Sequence, residues 1–142
     1  MRQASVFVAD DWTTSIGGKI SISGVYGTDI YIPMEPYPAI QLVFVFLVET
    51  DPNDRFQTLV LQVKLPGEAP KSMALPLHTF KDGATDQIRW FMKYPFLYRS
   101  PVLRRGQIEA KVIHEKGEII CSAAPIIILW EPSGAVTTVT TS

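Results

Sequence analysis

Carboxylates next to aromatic rings are the residues of this chain best suited to hold a ligand: Asp10, Asp11 and Trp12 near the start, then Tyr26 and Tyr37. Aromatic faces and acids are common in the pockets of small-ligand and carbohydrate-binding modules. Asp11, Trp12, Tyr26 and Tyr37 are therefore the candidate ligand-binding residues. Asp10, Asp11, Asp51 and Asp54 fall at predicted loop positions, and β-sandwiches can gather such carboxylates around calcium at one end. Aspartate is equally a turn former through its own backbone hydrogen bonds, so no metal site is assigned.

The remaining motifs fail as catalysts. Gly17-Gly18-Lys19 has the glycines and lysine of a phosphate-binding loop, but Thr13 stands where the first glycine should be. Ile20 also replaces the Ser or Thr that would hold magnesium, and the reading that fits is a hairpin turn. His78 and His114 have no Cys partner at ligand spacing and no His-Glu-x-x-His pattern. Cys121 sits in the apolar run Ile119-Ile-Cys-Ser-Ala-Ala124, which predicts a buried structural thiol rather than an exposed nucleophile. With no Gly-x-Ser-x-Gly elbow either, the chain offers no catalytic set and implies no cofactor. An enzyme would need a cleft that brings His78 or His114 against a carboxylate or Cys121.

Between Gln87 and Ile108 the chain carries Arg89, Lys93, Arg99, Arg104 and Arg105 with no acidic residue among them. Together with Trp90, Phe91, Tyr94, Phe96 and Tyr98, this basic patch could stack bases and neutralise phosphates. The alternation of the segment nevertheless sends most aromatics to the face opposite the basic residues, the pattern of a core-facing strand with a solvated exterior. Nucleic acid is not the expected partner.

These residues belong to a chain of 142 residues, one domain in size, which on folding hides roughly two-thirds of its extended surface. Hydrophobic residues make up 46%, charged residues 19%, and the formal net charge is −1, an ordinary globular composition that selects no charged partner. The longest apolar run, Leu42 to Val48, is far short of the roughly 20 residues of a membrane span. One cysteine excludes an internal disulfide, and the N-terminus lacks a signal-peptide pattern, so the expected location is cytoplasmic.

The central element is Ile40 to Val48, Ile-Gln-Leu-Val-Phe-Val-Phe-Leu-Val, whose β-branched and aromatic content predicts a strand buried on both faces. Before it, Ala4 to Ala9 reads as a strand ending at Asp10-Asp11, and Trp12 to Ile16 as a loop or helical turn. Strands over Lys19 to Tyr26 and Asp29 to Ile32 follow, and Pro33, Pro36 and Pro38 predict an unpaired crossover. After it come a turn at Glu49 to Asp54 and a strand over Phe56 to Leu65, with Leu59, Leu61, Val63 and Leu65 inward. Pro76 confines Ser72 to Thr79 to an edge, and Asp82-Gly83 suits a tight turn. Pro95 makes Gln87 to Tyr98 either two strands or one bent edge strand. Gly106 to Glu115 and Glu118 to Ala124 read as hairpin arms around Lys116-Gly117, and Ile126 to Trp130 continues or follows the second arm.

Many short β runs separated by turns predict an all-β, single-domain antiparallel β-sandwich, immunoglobulin-like or jelly-roll-like, over residues 1–132, with a partly closed barrel as the alternative. Residues 133–142 read as a flexible Thr-rich tail.

The order and spacing of Val8-Ala-Asp-Asp11, Gly17-Gly-Lys-Ile20, Gly24-Val-Tyr-Gly27 and Ile32-Pro33 resemble the opening of a bacterial and phage family of small proteins known only as a domain of unknown function. The likeness covers about the first third of the chain. It implies a small β-rich protein of unassigned activity and transfers no catalytic residue; a place in a phage-type particle is compatible with it. With no catalytic set and apolar residues at both parities (Val43, Val45, Leu47, Ile113, Ile127, Leu129), the leading expectation is a non-enzymatic interaction or assembly module, self-associating or bound to a protein partner. The alternative is the small-ligand or carbohydrate module, and the discriminating feature is a concave pocket as against a flat apolar face.

Overall fold

The computed structural model describes residues 2–14, 20–51, 54, 56–75, 90–121 and 124–130. Its strands, in chain order, are β1 (Gln3–Thr14), β2 (Ile20–Val25), β3 (Asp29–Ile32), β4 (Tyr37–Pro38), β5 (Gln41–Thr50), β6 (Leu59–Lys64), β7 (Lys71–Ala74), β8 (Trp90–Arg99), β9 (Val102–Leu103), β10 (Gly106–Gln107), β11 (Glu109–His114), β12 (Gly117–Ile120) and β13 (Ile126–Leu129). Two four-stranded antiparallel sheets, ordered β2-β1-β5-β8 and β12-β11-β6-β7, form the layers. A three-stranded sheet, β10-β13-β3, and the two-residue ladder β4-β9 accompany them. None of these sheets closes on itself, so the fold is an all-β sandwich and not a barrel. Among the described residues no helix is long and apolar enough to cross a membrane.

Period-two patterning explains the layers. Leu42, Phe44, Phe46 and Val48 project from one face of β5 and share a core with Val6, Val8, Phe96 and Tyr98 of the same sheet. Leu59, Leu61, Val63, Leu65, Ala110 and Val112 meet them from the other sheet. Register stacks the rings: Phe44 lies opposite Phe96, and their centroids are 6.4 Å apart at 87°, the edge-to-face arrangement that the ring quadrupole favours. The opposite face of β5 is covered too, since Val43 and Val45 are 0% and 1% exposed. The central strand is therefore buried on both sides, as its composition predicts.

Several boundaries differ from expectation, each for a tertiary reason. β1 does not stop at Asp10-Asp11 but runs to Thr14, because its backbone pairs with β2 at Asp11–Ser23 and Thr13–Ser21. The central strand begins one residue late and ends two residues late, at Gln41–Thr50. Ile40 contributes its carbonyl to Ser100 but leaves its side chain 89% exposed, while Glu49 and Thr50 pair with Phe91 and Trp90. Pro38, expected to be unpaired, forms a short ladder with Val102. Pro95 lies inside one continuous strand, β8, the outermost strand of its sheet among the described residues, which is one of the two arrangements expected of it.

The hairpin of β11 and β12 is present, turning at Glu115-Lys116. Its predicted outer parts leave it: β10 and β13 pair with each other, and β13 runs parallel to β3. This is a parallel pairing within a sandwich expected to be antiparallel throughout. Of the apolar residues expected to need another subunit, Val43, Val45 and Ile127 are buried within the chain. Gly17-Gly18-Lys19, His78, Asp82-Gly83 and the tail 133–142 lie outside the described residues.

Candidate functional site

At one end of the sandwich the rims of β1, β3, β4 and β5 enclose a cleft of about 440 Å³. Its apolar floor is Ile30, Ile32, Leu42 and Leu103, all buried. Its polar wall carries Asp10, Asp11, Tyr26, Tyr31, Tyr37 and Gln41. That volume lies within the ordinary span of small-molecule sites, about 300–1,000 Å³.

The positions follow from strand geometry. The register pairs Ala9 with Val25 and Asp11 with Ser23, which leaves Asp10 facing Gly24. Asp10 shares the parity of Val6 and Val8, so it stands on the inner face where that face opens to solvent. Gly24 has φ +67°, and a methyl group there would fall on the carboxylate, 2.8 Å from Cγ. Glycine is thus what lets Asp10 lie against β2. The register continues one step past β2, where the Tyr26 amide donates to the Val8 carbonyl at 2.8 Å. Tyr26 then reaches back, its hydroxyl donating to Asp10 Oδ1 at 2.5 Å. Burial, followed by the neighbouring Asp10 carboxylate, pushes the Tyr26 phenol up to about 12. It keeps its proton at neutral pH and holds Asp10 in place.

Asp11 points to the other face of β1 and is fixed from β5. Gln41 Nε2 donates to Asp11 Oδ1 and to the Asp10 carbonyl, both at 3.1 Å, and the Trp12 amide donates to Asp11 Oδ1 at 2.8 Å. Tyr31 donates to Asp29 Oδ2 at 3.2 Å, which raises its phenol pKa. Tyr37 is set by the β4 ladder, opposite Leu103.

Of the four predicted ligand-binding residues, Asp11, Tyr26 and Tyr37 therefore meet in one cleft, while Trp12 lies on β1 opposite Ile22 and is not among the lining residues. Tyr31 and Gln41 were missed: Tyr31 carries the outward parity of a strand, and Gln41 was read only as part of a buried core strand.

The described residues of the predicted basic patch lie on β8 and just after β9. Arg89 lies outside the described residues, and Lys93 occupies β8 opposite Leu47. Arg99 stands at the end of β8 opposite Gln41. Arg104 and Arg105 follow β9, and Arg105 is paired with Glu35, Nε to Oε1 at 2.8 Å and backbone N to Oε2 at 2.9 Å. Hydrogen bonds and charge from Arg105 hold the Glu35 carboxyl below its usual range. Phe96 and Tyr98 point into the core.

A second cluster holds the N-terminus to the β11–β12 turn. The Arg2 guanidinium, 7% exposed, bridges Glu115 at 2.5 Å and Asp54 at 3.2 Å, and lies over the Phe56 ring. Arg2 Nη1 and the Lys116 amide both point at His114 Nδ1, at 2.9 and 3.0 Å, so that nitrogen accepts and the ring is neutral. Burial and then the Arg2 charge lower the His114 pKa. Asp54 is thus engaged by Arg2 and Lys116 and takes no part in the cleft. Among the described residues no group of three or more His, Cys, Asp or Glu side chains is placed to hold a metal ion. Cys121 is 4% exposed, and burial pushes its thiol up to about 12.

Fold and site together define an all-β sandwich with a tyrosine- and carboxylate-lined cleft at one end. No protein-family model, curated protein or solved structure matches the chain. The reading of the site rests on its geometry.

Proposed function

We propose that this protein is a small-ligand-binding β-sandwich whose site is the end cleft. One observation supports this above all: Asp11, Tyr26 and Tyr37, separated in sequence, line a single concavity with Asp10, Tyr31 and Gln41 above a buried aliphatic floor. An apolar base with a few convergent polar groups is the usual anatomy of a ligand site. The test is titration of the ¹⁵N-labelled full chain with neutral sugars, amines and carboxylates. Binding moves the amides of Tyr26, Tyr37, Gln41 and Leu42 together, and Tyr37→Ala weakens it roughly tenfold, the loss of one aromatic contact of about 1.4 kcal/mol. If no class of compound moves these amides, the reading fails.

A second reading, association of two copies through the exposed β1–β2 part of the outer face of the β2-β1-β5-β8 sheet, is supported by Phe7 and Val25, exposed 46% and 55%. Half-buried Leu47 and Leu97 stand beside them. Sedimentation equilibrium should then give a dimer that Phe7→Glu dissociates; a monomer at millimolar concentration removes the idea.

A further inference from the structure

Resting on the reading of the cleft as a ligand site, we propose that its ligand is a small primary ammonium ion bearing a short apolar tail. The argument is an inventory of donors and acceptors. Tyr26 gives its only hydroxyl proton to Asp10, and Tyr31 gives its own to Asp29. Both hydrogens of the Gln41 amide are directed at β1, to the Asp10 carbonyl and the Asp11 carboxylate. Tyr37 alone among the lining tyrosines makes no such bond. The donors are largely spent internally. The carboxylates of Asp10 and Asp11, both exposed at the cleft, are left as acceptors, with Asp10 Oδ2 lying beside Gly24.

None of the described lining residues is Lys, Arg or His, so among them the two carboxylates have no cation beside them in the cleft. Arg99, although opposite Gln41, is not among the lining residues. A guest that donates several hydrogen bonds, accepts none and carries positive charge matches this wall. An ammonium group does all three. A sugar hydroxyl brings one donor and two acceptor lone pairs, and for the latter the Tyr37 hydroxyl is the main donor left on this wall among the described residues.

The rest of the cleft describes the tail. Ile40 and Tyr31 stand at its mouth, 89% and 58% exposed, above the buried Ile30, Ile32, Leu42 and Leu103. An alkyl or aryl chain laid from the floor to Ile40 would cover apolar surface now in water, and the tyrosine faces would attract the adjoining cation.

The experiment compares 2-phenylethylammonium with its neutral isostere 2-phenylethanol and with methyl glucoside, each titrated into the full chain by NMR and calorimetry. Preference for the ammonium over the alcohol by about tenfold or more, with shifts at Tyr26, Gln41 and Leu42, supports the inference. Asp10→Asn, which keeps the shape and the acceptor for Tyr26, should abolish that preference while the variant's unfolding curve stays near that of the unaltered protein. Equal binding of ammonium and alcohol overturns the inference, as does an ammonium that leaves these amides unmoved. If the glucoside or another neutral compound binds in its place, the cleft is still a ligand site and only the charge assignment is lost.

Discussion

The carboxylate of Asp10 lies against the α-carbon of Gly24, close enough that any β-carbon at residue 24 would strike it. Two strands are thereby packed edge to edge at the lip of the cleft, and Tyr26 locks the arrangement through its hydroxyl. The relationship ties backbone conformation to site chemistry. Gly24→Ala should cost about 1–2 kcal/mol from the left-handed backbone alone. It should also swing Asp10 away from Tyr26. Urea unfolding would measure the first effect, and an upfield or downfield move of the Tyr26 amide relative to unaltered protein the second.

Arg2 joins the first strand to the β11–β12 turn through Glu115, Asp54 and His114. Arg2→Ala would leave those acceptors without their shared donor, at a cost of about 1–3 kcal/mol for an interaction only partly screened by solvent. Arg2→Lys should recover only part of this, since one ammonium cannot reproduce the forked geometry of a guanidinium. Thermal melts of the three proteins decide the order.

Stability should also fall with acid in two stages, and the sign follows from the direction of each shift. His114 has a folded pKa below its ordinary 6.5, so the unfolded chain takes up the proton first. The contribution is present above 6.5 and is lost as pH falls through the lowered folded value. Glu115 is lowered from 4.5 to about 2, by Arg2 above all other groups acting against the opposing effect of burial. Its contribution is intact above 4.5 and disappears as pH approaches about 2. Urea midpoints between pH 3 and 8 should show the upper stage vanish in His114→Gln while the lower stage stays.

Cys121, buried and with its thiol pushed up to about 12, should resist alkylation in the folded protein. At pH 8 iodoacetamide should label it on the order of a thousand times more slowly than a free thiol, because thiolate is the reactive form. Mass spectrometry with and without denaturant reads this directly. Rapid labelling of the native chain would show the site to be open.

Much of the framework was readable because burial imposes a short period on sequence. Leu59, Leu61 and Val63 announce β6, and the nonapeptide announces β5, since each residue type matches the face it occupies. The site was readable in part for a different reason: acids and aromatic rings together are the composition of a ligand pocket, and Tyr26 and Tyr37 are partly buried against the core at the cleft. Asp10-Asp11 misled, because a local preference for turns is weaker than a ladder whose partner strand supplies a glycine opposite. Trp12 went with that error, for a residue inside a strand faces where parity sends it. Leu42 of the cleft floor was legible within the central strand, but the placing of Ile30 and Ile32 beneath the cleft was not. It depends on the parallel pairing of β3 with β13, and nothing local in Asp29–Ile32 names that partner.

That pairing has a bearing on biosynthesis. β3 is the edge of its sheet and is hydrogen-bonded there to β13 alone among the described strands, yet β13 is the last of them to leave the ribosome. Contacts between segments so far apart form late, because a long loop must close before they can contribute. A nascent chain that has emerged only as far as β5 would display Asp10, Tyr26 and Tyr37 with the Ile30 and Ile32 platform still unanchored, so competence to capture a guest would arrive only once β13 has emerged.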